Sequence, residues 1–281
     1  MNKQETSSRR HHPRSQHVGV LGWGRMGSLM GAHLLARGWD VTGYDVSTDA
    51  LADIERHGGS IAAAPEDVGA TSDVILVVVS DDAQVREVVC GTNGVLAGAQ
   101  PGSTVVVCSG VAPKTCRHVA AAAEDRGVHV IDAAMTGGER GAAKGTLTLL
   151  CGGDATAVDA CRPVFSAFAT NVCLVGPLGS GQMAKALNNC LLLACIQADA
   201  EVLRLARALG MEPGTLRPIL SVSSGANRPL AEWGAYKLRF PGKDLHNAFA
   251  LADEAGTDIP FLRSLEPFVT ALTTEELDDL R

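Results

Sequence analysis

The chain contains 281 residues, of which 46% are apolar and 20% are charged, and its formal net charge is −7. This composition predicts a globular protein of about two domains. The excess of acidic residues argues against a nucleic-acid-binding surface. No run of about 18 uninterrupted apolar residues occurs, so we expect neither a membrane span nor a membrane partner.

Residues 1–16 are polar, rich in arginine and histidine, and without the apolar stretch of a signal peptide. We therefore expect a disordered leader. The eight cysteines form no C-x-x-C pair and no paired Cys/His spacing, and most of them lie within apolar runs. This pattern predicts reduced core thiols in a cytoplasmic protein, with no metal site.

From residue 17 to residue 177, short β-branched runs alternate with helix-like segments. Strands are predicted at 17–22, 40–45, 73–79, 103–109, 128–133, 146–152 and 171–175. Helices are predicted at 25–37, 48–57, 81–89, 114–126 and 155–168. The strand runs are apolar throughout, as expected when both faces of a sheet are covered. The alternation predicts an α/β fold with a doubly wound, mostly parallel Rossmann sheet.

The character of the sequence changes near Pro177, where we place a domain boundary. From Gln182 to Leu209 neither proline nor glycine interrupts an apolar stretch, which predicts one helix of roughly 40 Å. A helix this apolar must be buried by other helices or by a second subunit. We therefore predict an all-α domain over 178–281, begun by the long helix, and a homodimer or homotetramer.

The turn after the first predicted strand has the spacing Gly22-x-Gly24-x-x-Gly27. The first glycine permits a tight turn, the second lets a pyrophosphate approach the backbone, and the third allows close helix–strand packing. The free N–H groups and the positive end of the helix then face the phosphates. Because this motif lies between a strand and a helix at the start of an alternating sheet, it strongly predicts a dinucleotide site.

Asp45 lies 18 residues beyond Gly27, close to where an acidic side chain binds the ribose hydroxyls of a dinucleotide. A carboxylate there repels a 2′-phosphate, and no arginine follows at 46–48, so NAD is favoured over NADP. The alternative is that Asp45 only caps the next helix. A methyltransferase can also combine a glycine-rich turn with an acidic strand end, so this region alone leaves the ligand class open.

A second glycine-rich stretch, "DAAMTGGERGAAKGTL", covers residues 132–147. Thr136, Gly137 and Gly138 can present successive N–H groups and a hydroxyl to a carboxylate. The alternative is a flexible connection with no role in binding.

A third stretch, "GPLGSGQMAKALNN", contains Lys185 and Asn189, which are four residues apart and share one face of a helix. Burial and the positive helix end both act to lower the pKa of the lysine amine. Such an amine can give a proton to a carbonyl or take one from an alcohol. The alternative is a lysine that extends from the helix end to water.

Together these motifs resemble those of the β-hydroxyacid dehydrogenase family, which includes 3-hydroxyisobutyrate dehydrogenase. "GWGRMG" matches the cofactor turn of that family, "DAAMTGGERGA" resembles its substrate motif, and the lysine stretch matches its catalytic motif at every fixed position. A fourth element, K-D-L, is present as Lys243-Asp244-Leu245. The four motifs are separate, and the similarity covers about residues 17–265, which makes the resemblance specific.

The resemblance implies that Lys185 is the catalytic acid/base and that Asn189 is its substrate-binding neighbour. It also implies a set of substrate-binding residues: Thr136, Gly137, Gly138 and Lys243. The residues implied to bind the cofactor are Gly22, Gly24, Arg25, Met26, Gly27, Asp45, Ser109 and Lys243. The implied activity is NAD-dependent interconversion of a small β-hydroxy acid and its semialdehyde or keto acid.

The sequence also departs from the family pattern. Ala134 and Met135 replace a Pro-Val pair, and Thr136 replaces a serine. Ser80 stands where a proline is common, and Gly110 stands where a threonine commonly contacts the cofactor. Two alternatives therefore stay open. One is an imine reductase-like or other reductase on the same fold, although imine reductases usually lack the lysine. The other is a non-catalytic dinucleotide-binding module.

Overall fold

The computed structural model describes residues 17–236, 238 and 241–281. The predicted leader, 1–16, lies outside the described residues. The strands are β1 (His17–Leu21), β2 (Asp40–Tyr44), β3 (Ser60–Ile61), β4 (Val74–Val77), β5 (Thr104–Val107), β6 (His129–Thr136), β7 (Leu147–Gly152) and β8 (Ala169–Gly176). They form one sheet in the order β3-β2-β1-β4-β5-β6-β7-β8.

The first helices connect these strands. They are α1 (Arg25–Ala36), α2 (Thr48–Arg56), α3 (Pro65–Thr71), α4 (Asp82–Cys90), α5 (Val95–Gly98), α6 (Pro113–Ala123), α7 (Gly138–Lys144) and α8 (Ala155–Phe165). The later helices follow the sheet: α9 (Ser180–Ala208), α10 (Pro213–Leu220), α11 (Arg228–Ala231), α12 (Pro241–Ala255), α13 (Pro260–Ser264), α14 (Glu266–Ala271) and α15 (Thr274–Asp279).

Neighbouring strands of the sheet run parallel, except that β6 and β7 are antiparallel. The order reverses at β1, which pairs with β2 on one side and with β4 on the other. In open α/β sheets, ligands bind beyond the carboxyl ends of the strands at such a reversal. The predicted fold class is confirmed: a doubly wound, mostly parallel sheet followed by helices.

Both faces of the sheet are covered, as the apolar strand runs predicted. On one face, Val18 and Val20 of β1 pack with Met30 and Leu34 of α1. The opposite face has its own core, in which alternate residues of β4 and β5 pack with α4 and α6. Since successive side chains of a strand point to opposite faces, a strand buried on both faces has to be apolar at every position.

The structure contains short elements that the sequence pattern did not predict. β3 has only two residues, and α3, α5 and α7 each cover two turns or less. Segments of this length have too few residues to show a periodicity. β6 also extends to Thr136, beyond the predicted end at 133, because its last residues pair with β7. The stretch at 132–147 therefore consists of the end of β6, helix α7 and the start of β7.

The long helix α9 begins at Ser180, two residues before the predicted start. It contacts β6 and β7 on one side and α10, α11 and α12 on the other. By length and mean hydropathy α9 is apolar enough to cross a membrane. Its buried residues, which include the ionisable Asp199, pack within the protein.

Candidate active site

The surroundings of the three glycines of the first turn match the roles assigned from the sequence, and two of the three have a steric requirement. Gly22 has a φ of +91°, and a Cβ on it would lie 2.8 Å from the carbonyl oxygen of Val78. A Cβ on Gly27 would lie 1.9 Å from the oxygen of Gly22, so glycine allows α1 to approach the turn. Gly24 has open space around it and precedes the first residue of α1, which leaves its backbone accessible to a ligand.

Asp45 follows β2 and is tied to the glycine turn by its carboxylate. Oδ2 of Asp45 accepts a hydrogen bond from the backbone N–H of Trp23 at 2.7 Å, and Oδ1 accepts one from the N–H of Ser47 at 2.9 Å. Ser47, not Asp45, is the N-cap residue of α2. The carboxylate is therefore held at the carboxyl end of β2, beside the turn, where a ribose hydroxyl can donate to it.

A cavity of about 1060 Å³ opens in front of the glycine turn. Its lining includes five of the residues predicted to bind a cofactor: Gly24, Arg25, Met26, Ser109 and Lys243. We call this cavity the cofactor cleft. Its open glycine backbone, the adjacent carboxylate at Asp45 and its position at the reversal of strand order fit a dinucleotide.

Two of the predicted cofactor ligands also have partners within the protein. Arg25 Nε lies 3.4 Å from Glu139 Oε1, which links α1 to α7. The hydroxyl of Ser109 donates to the carbonyl oxygen of Val77 at 3.2 Å. The hydroxyl, the N–H and the carbonyl oxygen of Ser109 thus all have partners within the protein.

A second cavity of about 750 Å³ adjoins the cofactor cleft and is lined by further residues of α9. Thr136, Gly137 and Gly138 line it, and the two glycines have φ values of +107° and +60°, which favour glycine at both positions. We call this cavity the substrate pocket. Lys243, predicted to lie near both substrate and nicotinamide, lines the cofactor cleft.

Lys185 and Asn189 lie where the two cavities meet. Both residues line both cavities, and so do Met26, Met135 and Asp244. The sequence prediction that Lys185 and Asn189 share one face of a helix agrees with their positions on α9. The structure thus places the lysine amine between the predicted cofactor and substrate sites.

Burial and two neighbouring charges shift the pKa of the Lys185 amine. Burial lowers the pKa of the Lys185 amine from its ordinary value; the carboxylate of Asp244 raises this pKa, and the charge of Lys243 lowers it. Burial also raises the pKa of the Asp244 carboxyl, while Lys185, Asn189 and Lys243 act to lower it. Both groups are thereby brought nearer to their neutral forms, which suits Lys185 to exchange a proton.

The backbone that carries Lys185 is fixed by a buried carboxylate on the sheet. Asp132 accepts hydrogen bonds from the N–H groups of Gly179, at 2.5 Å, and Gln182, at 2.9 Å. The side chain of Gln182 in turn donates to the oxygen of Ser109 at 2.8 Å and accepts from the N–H of Val111 at 3.2 Å. The first turn of α9 is thus joined to β6 and to the loop after β5.

Three residues of this site were missed by sequence reasoning: Asp132, Gln182 and Asp244. Asp132 ends an apolar run, and an acidic residue there was a usable signal. Asp244 lies within the K-D-L element, where only the lysine received a role. Gln182 had no distinguishing signal. Gly110, which departs from the family pattern, lies beside the amine: a Cβ on it would be 3.4 Å from Lys185 Nζ.

Comparison with known proteins finds matching families over most of the chain. Residues 17–176 match the family described as the NAD binding domain of 6-phosphogluconate dehydrogenase. Residues 179–280 match the family described as NAD-binding of NADP-dependent 3-hydroxyisobutyrate dehydrogenase.

Individual relatives agree with these matches. The chain is 36% identical over 239 residues to the NAD-dependent L-serine dehydrogenase of Pseudomonas aeruginosa, covering 85% of this chain and 78% of that protein. It is 33% identical over 208 residues to the mitochondrial 3-hydroxyisobutyrate dehydrogenase of Rattus norvegicus, covering 74% and 62%.

A solved structure agrees as well. The fold is similar to that of a Mycobacterium tuberculosis 3-hydroxyisobutyrate dehydrogenase studied with L-serine, with a TM-score of 0.84, 26% identity, and coverage of 95% and 100% of the two chains. The chain therefore belongs to the β-hydroxyacid dehydrogenase family, as an NAD(P)-binding hydroxyacid oxidoreductase of the 3-hydroxyisobutyrate dehydrogenase type.

Proposed function

We propose that this protein interconverts a small β-hydroxy acid and the corresponding semialdehyde or keto acid, with NAD as cofactor and Lys185 as general acid/base. The observation that carries the proposal is the position of Lys185, which lines both the cofactor cleft and the substrate pocket. When bound, a nicotinamide dinucleotide supplies the hydride chemistry. The protein then has to position the substrate and move one proton.

In the oxidative direction, the neutral amine of Lys185 accepts the proton of the substrate hydroxyl. In the reductive direction, the ammonium form returns a proton to the carbonyl oxygen. Both directions need an amine that can be neutral or protonated near neutral pH. Burial of Lys185 favours this because it lowers the pKa of the amine. Asn189 lies one turn further along α9 and can hold the same substrate oxygen by a hydrogen bond.

The substrate carboxylate is assigned to Thr136, Gly137 and Gly138. These residues line the substrate pocket and offer one hydroxyl and consecutive backbone N–H groups. Lys243 lines the cofactor cleft close enough to Lys185 to affect its pKa, so we assign it to the nicotinamide side. These assignments follow the family motif at the same positions.

The preference for NAD is assigned to Asp45. Its carboxylate is held next to the glycine turn by the N–H groups of Trp23 and Ser47. A 2′-phosphate on the ribose would meet this negative charge, whereas free ribose hydroxyls can donate to it. The remaining cofactor contacts are assigned to the turn, Gly22 to Gly27, and to Ser109.

The proposal is tested by following reduced nicotinamide absorbance with a panel of 3-hydroxy acids and with NAD or NADP. We expect turnover with NAD, and in the Lys185→Ala variant a fall in kcat of about 10² to 10⁴, the range typical of a lost general acid/base. NAD binding, measured by calorimetry, should stay nearly unchanged. If Lys185→Ala turned over substrate at the wild-type rate, the assignment of Lys185 as general acid/base would be wrong.

A second candidate substrate is L-serine, a β-hydroxy acid that also carries an amino group. It is favoured by the similarity to an NAD-dependent L-serine dehydrogenase. The same panel separates the two substrates. An imine reductase-like activity is disfavoured because imine reductases usually lack the lysine that is present here as Lys185. If the protein were a non-catalytic dinucleotide-binding module, no compound of the panel would change the absorbance.

We further propose that the protein works in the cytoplasm as a homodimer or homotetramer, without nucleic-acid or membrane partners. Four apolar side chains on α9 are exposed, Leu187, Leu191, Val202 and Leu205, and so is Leu209, which directly follows the helix. At 100° per residue they fall within a sector of about 60° on the helix, which forms one apolar stripe. Light scattering tests this proposal: Leu205→Glu should reduce the mass, whereas Phe268→Glu on α14 should not.

A further inference from the structure

Two of the described cations that line the substrate pocket, Arg140 and Arg228, are not used by the proposed mechanism. Arg140 lies on α7, two residues after Gly138, and lines this pocket together with Thr136 and Lys185. Within the part of the chain that the structure describes, no carboxylate lies within ion-pair distance of Arg140. Its guanidinium is therefore available to a ligand.

The neighbouring charges of the pocket already have partners. Arg228 Nε lies 3.2 Å from Glu232 Oε1, and Glu139 Oε1 lies 3.4 Å from Arg25 Nε. A guanidinium has five N–H donors in a fixed planar arrangement and can bind a carboxylate through two of them. Arg140 is thus the cation of this pocket best placed to receive an anionic group from a bound molecule.

The charge of Arg140 affects the pKa of Tyr236, which lines the same pocket. Burial raises the pKa of the Tyr236 phenol, as does the carboxylate of Glu232, whereas the charges of Arg228 and, to a lesser extent, Arg140 act to lower it. Tyr236 and Arg228 belong to the helical part of the chain, whereas Arg140 belongs to the sheet part. Both guanidiniums therefore act on the same part of the pocket, where Glu232 offsets the charge of Arg228 and leaves that of Arg140.

The size of the pocket permits a substrate longer than the smallest β-hydroxy acids. Its volume is about 750 Å³, within the range of about 300 to 1,000 Å³ in which proteins bind drug-sized ligands. One carboxylate is assigned to Thr136, Gly137 and Gly138. Since Arg140 lines the same pocket as these three residues, a second carboxylate a few carbons away can reach its guanidinium.

We propose that Arg140 binds a second carboxylate of the substrate, so that the preferred substrates are β-hydroxy dicarboxylic acids. This inference rests on the proposed function. It goes beyond that function by naming the substrate class and the residue that selects it. The selection acts on binding, and the hydride and proton transfers at Lys185 are the same for a monoacid.

The test compares two substrates of equal size that differ by one charge: 3-hydroxyglutarate and its monoamide. We expect wild-type protein to have a kcat/KM about tenfold or more higher for the diacid, as for a hydrogen bond to a charged group that is partly exposed to water. In Arg140→Gln this preference should fall to less than about threefold, with turnover of the monoamide nearly unchanged. Arg140→Lys should keep part of the preference because it keeps the charge.

Two control variants test whether the preference for the diacid depends on Arg140 and not on another arginine. Arg162→Gln removes an exposed arginine of α8 that pairs with Asp159, and it should leave the preference unchanged. Arg228→Gln should change it less than Arg140→Gln does, since Glu232 already neutralises Arg228. If the preference depends on Arg228 instead, the assignment to Arg140 is wrong.

A binding measurement gives a readout that does not depend on turnover. Glutarate and its monoamide lack the hydroxyl group and cannot react, so calorimetry with NAD present reports affinity alone. Wild-type protein should bind glutarate about tenfold more tightly than the monoamide, and Arg140→Gln should bind both equally. Circular dichroism of each variant shows whether it is folded.

The outcomes separate this inference from the proposed function. Equal turnover of the diacid and the monoamide by wild-type protein would overturn the role of Arg140 and leave the hydroxy acid activity standing. No turnover of any 3-hydroxy acid with either cofactor would instead remove the proposed function. In that case a preference for glutarate in calorimetry would still support the anion site at Arg140.

Discussion

The carboxylate of Asp132, on β6, accepts a hydrogen bond from the backbone N–H of Gln182, in the first turn of α9, at 2.9 Å. The first N–H groups of a helix have no partner within the helix, and here a buried strand residue supplies one. The same carboxylate accepts from Gly179. This contact fixes the start of the helix that carries Lys185.

Asp132→Ala should therefore lower the free energy of unfolding, because it leaves two buried N–H groups without an acceptor, at a cost of about 1 to 3 kcal/mol each. Asp132→Asn keeps one oxygen acceptor and should cost less. Urea denaturation of both variants measures the difference. Asp159→Ala, at an exposed position on α8, is the control, and an equal midpoint for Asp132→Ala and Asp159→Ala would contradict the role of Asp132.

The glycine turn allows a matched pair of substitutions. Gly24→Ala meets open space, so we expect the variant to fold normally and to bind NAD at least about tenfold more weakly, which corresponds to about 1.4 kcal/mol. Gly27→Ala places a Cβ 1.9 Å from the oxygen of Gly22, so it should lower the free energy of unfolding by about 1 to 3 kcal/mol.

Calorimetry with NAD and thermal melting separate these two effects. Gly225→Ala, which also meets open space but lies outside the turn, is the control for both. Normal NAD affinity in Gly24→Ala would show that no phosphate approaches that backbone.

Asp244→Asn should change the pH dependence of turnover. The Asp244 carboxylate raises the pKa of Lys185, so its removal should lower that pKa further. Alcohol oxidation needs the neutral amine and increases as pH rises through this pKa, so its acidic limb should move to lower pH. Carbonyl reduction needs the ammonium, so its alkaline limb should also move to lower pH.

The measurement is kcat against pH in both directions. Asp253→Asn, on the same helix but paired with Arg263, is the control and should leave both limbs in place. A shift of either limb to higher pH in Asp244→Asn would contradict the influence assigned to its charge.

Asp45→Ser should change the choice of cofactor. Loss of the carboxylate removes both the hydrogen-bond acceptor for the ribose and the charge that repels a 2′-phosphate, so the ratio of NAD to NADP efficiency should fall by about tenfold or more. Asp49→Ser, in the first turn of α2, removes one acidic residue nearby and is the control. An unchanged ratio in Asp45→Ser would assign the preference elsewhere.

The sequence predicted most of the fold and part of the site because those features are encoded locally. Strands buried on both faces are apolar at every position, so β1, β4 and β5 were recognisable from short runs. Gly27 is needed because a Cβ there would collide with the backbone of Gly22 in the same turn, and Gly22 has the positive φ of a tight turn. Lys185 and Asn189 share a face because the spacing of a helix fixes it.

The environment of the lysine was decided only by the tertiary structure. Asp244 comes from a separate helix, α12, and Asp132 from a strand on the other side of the boundary near Pro177. Neither residue forms a sequence pattern with Lys185. Their effects on its position and protonation depend on packing distances and burial, and no local spacing encodes those quantities. The sequence by itself thus determined which groups are present, and the packing of α9 between the sheet and α12 determined their protonation and their neighbours.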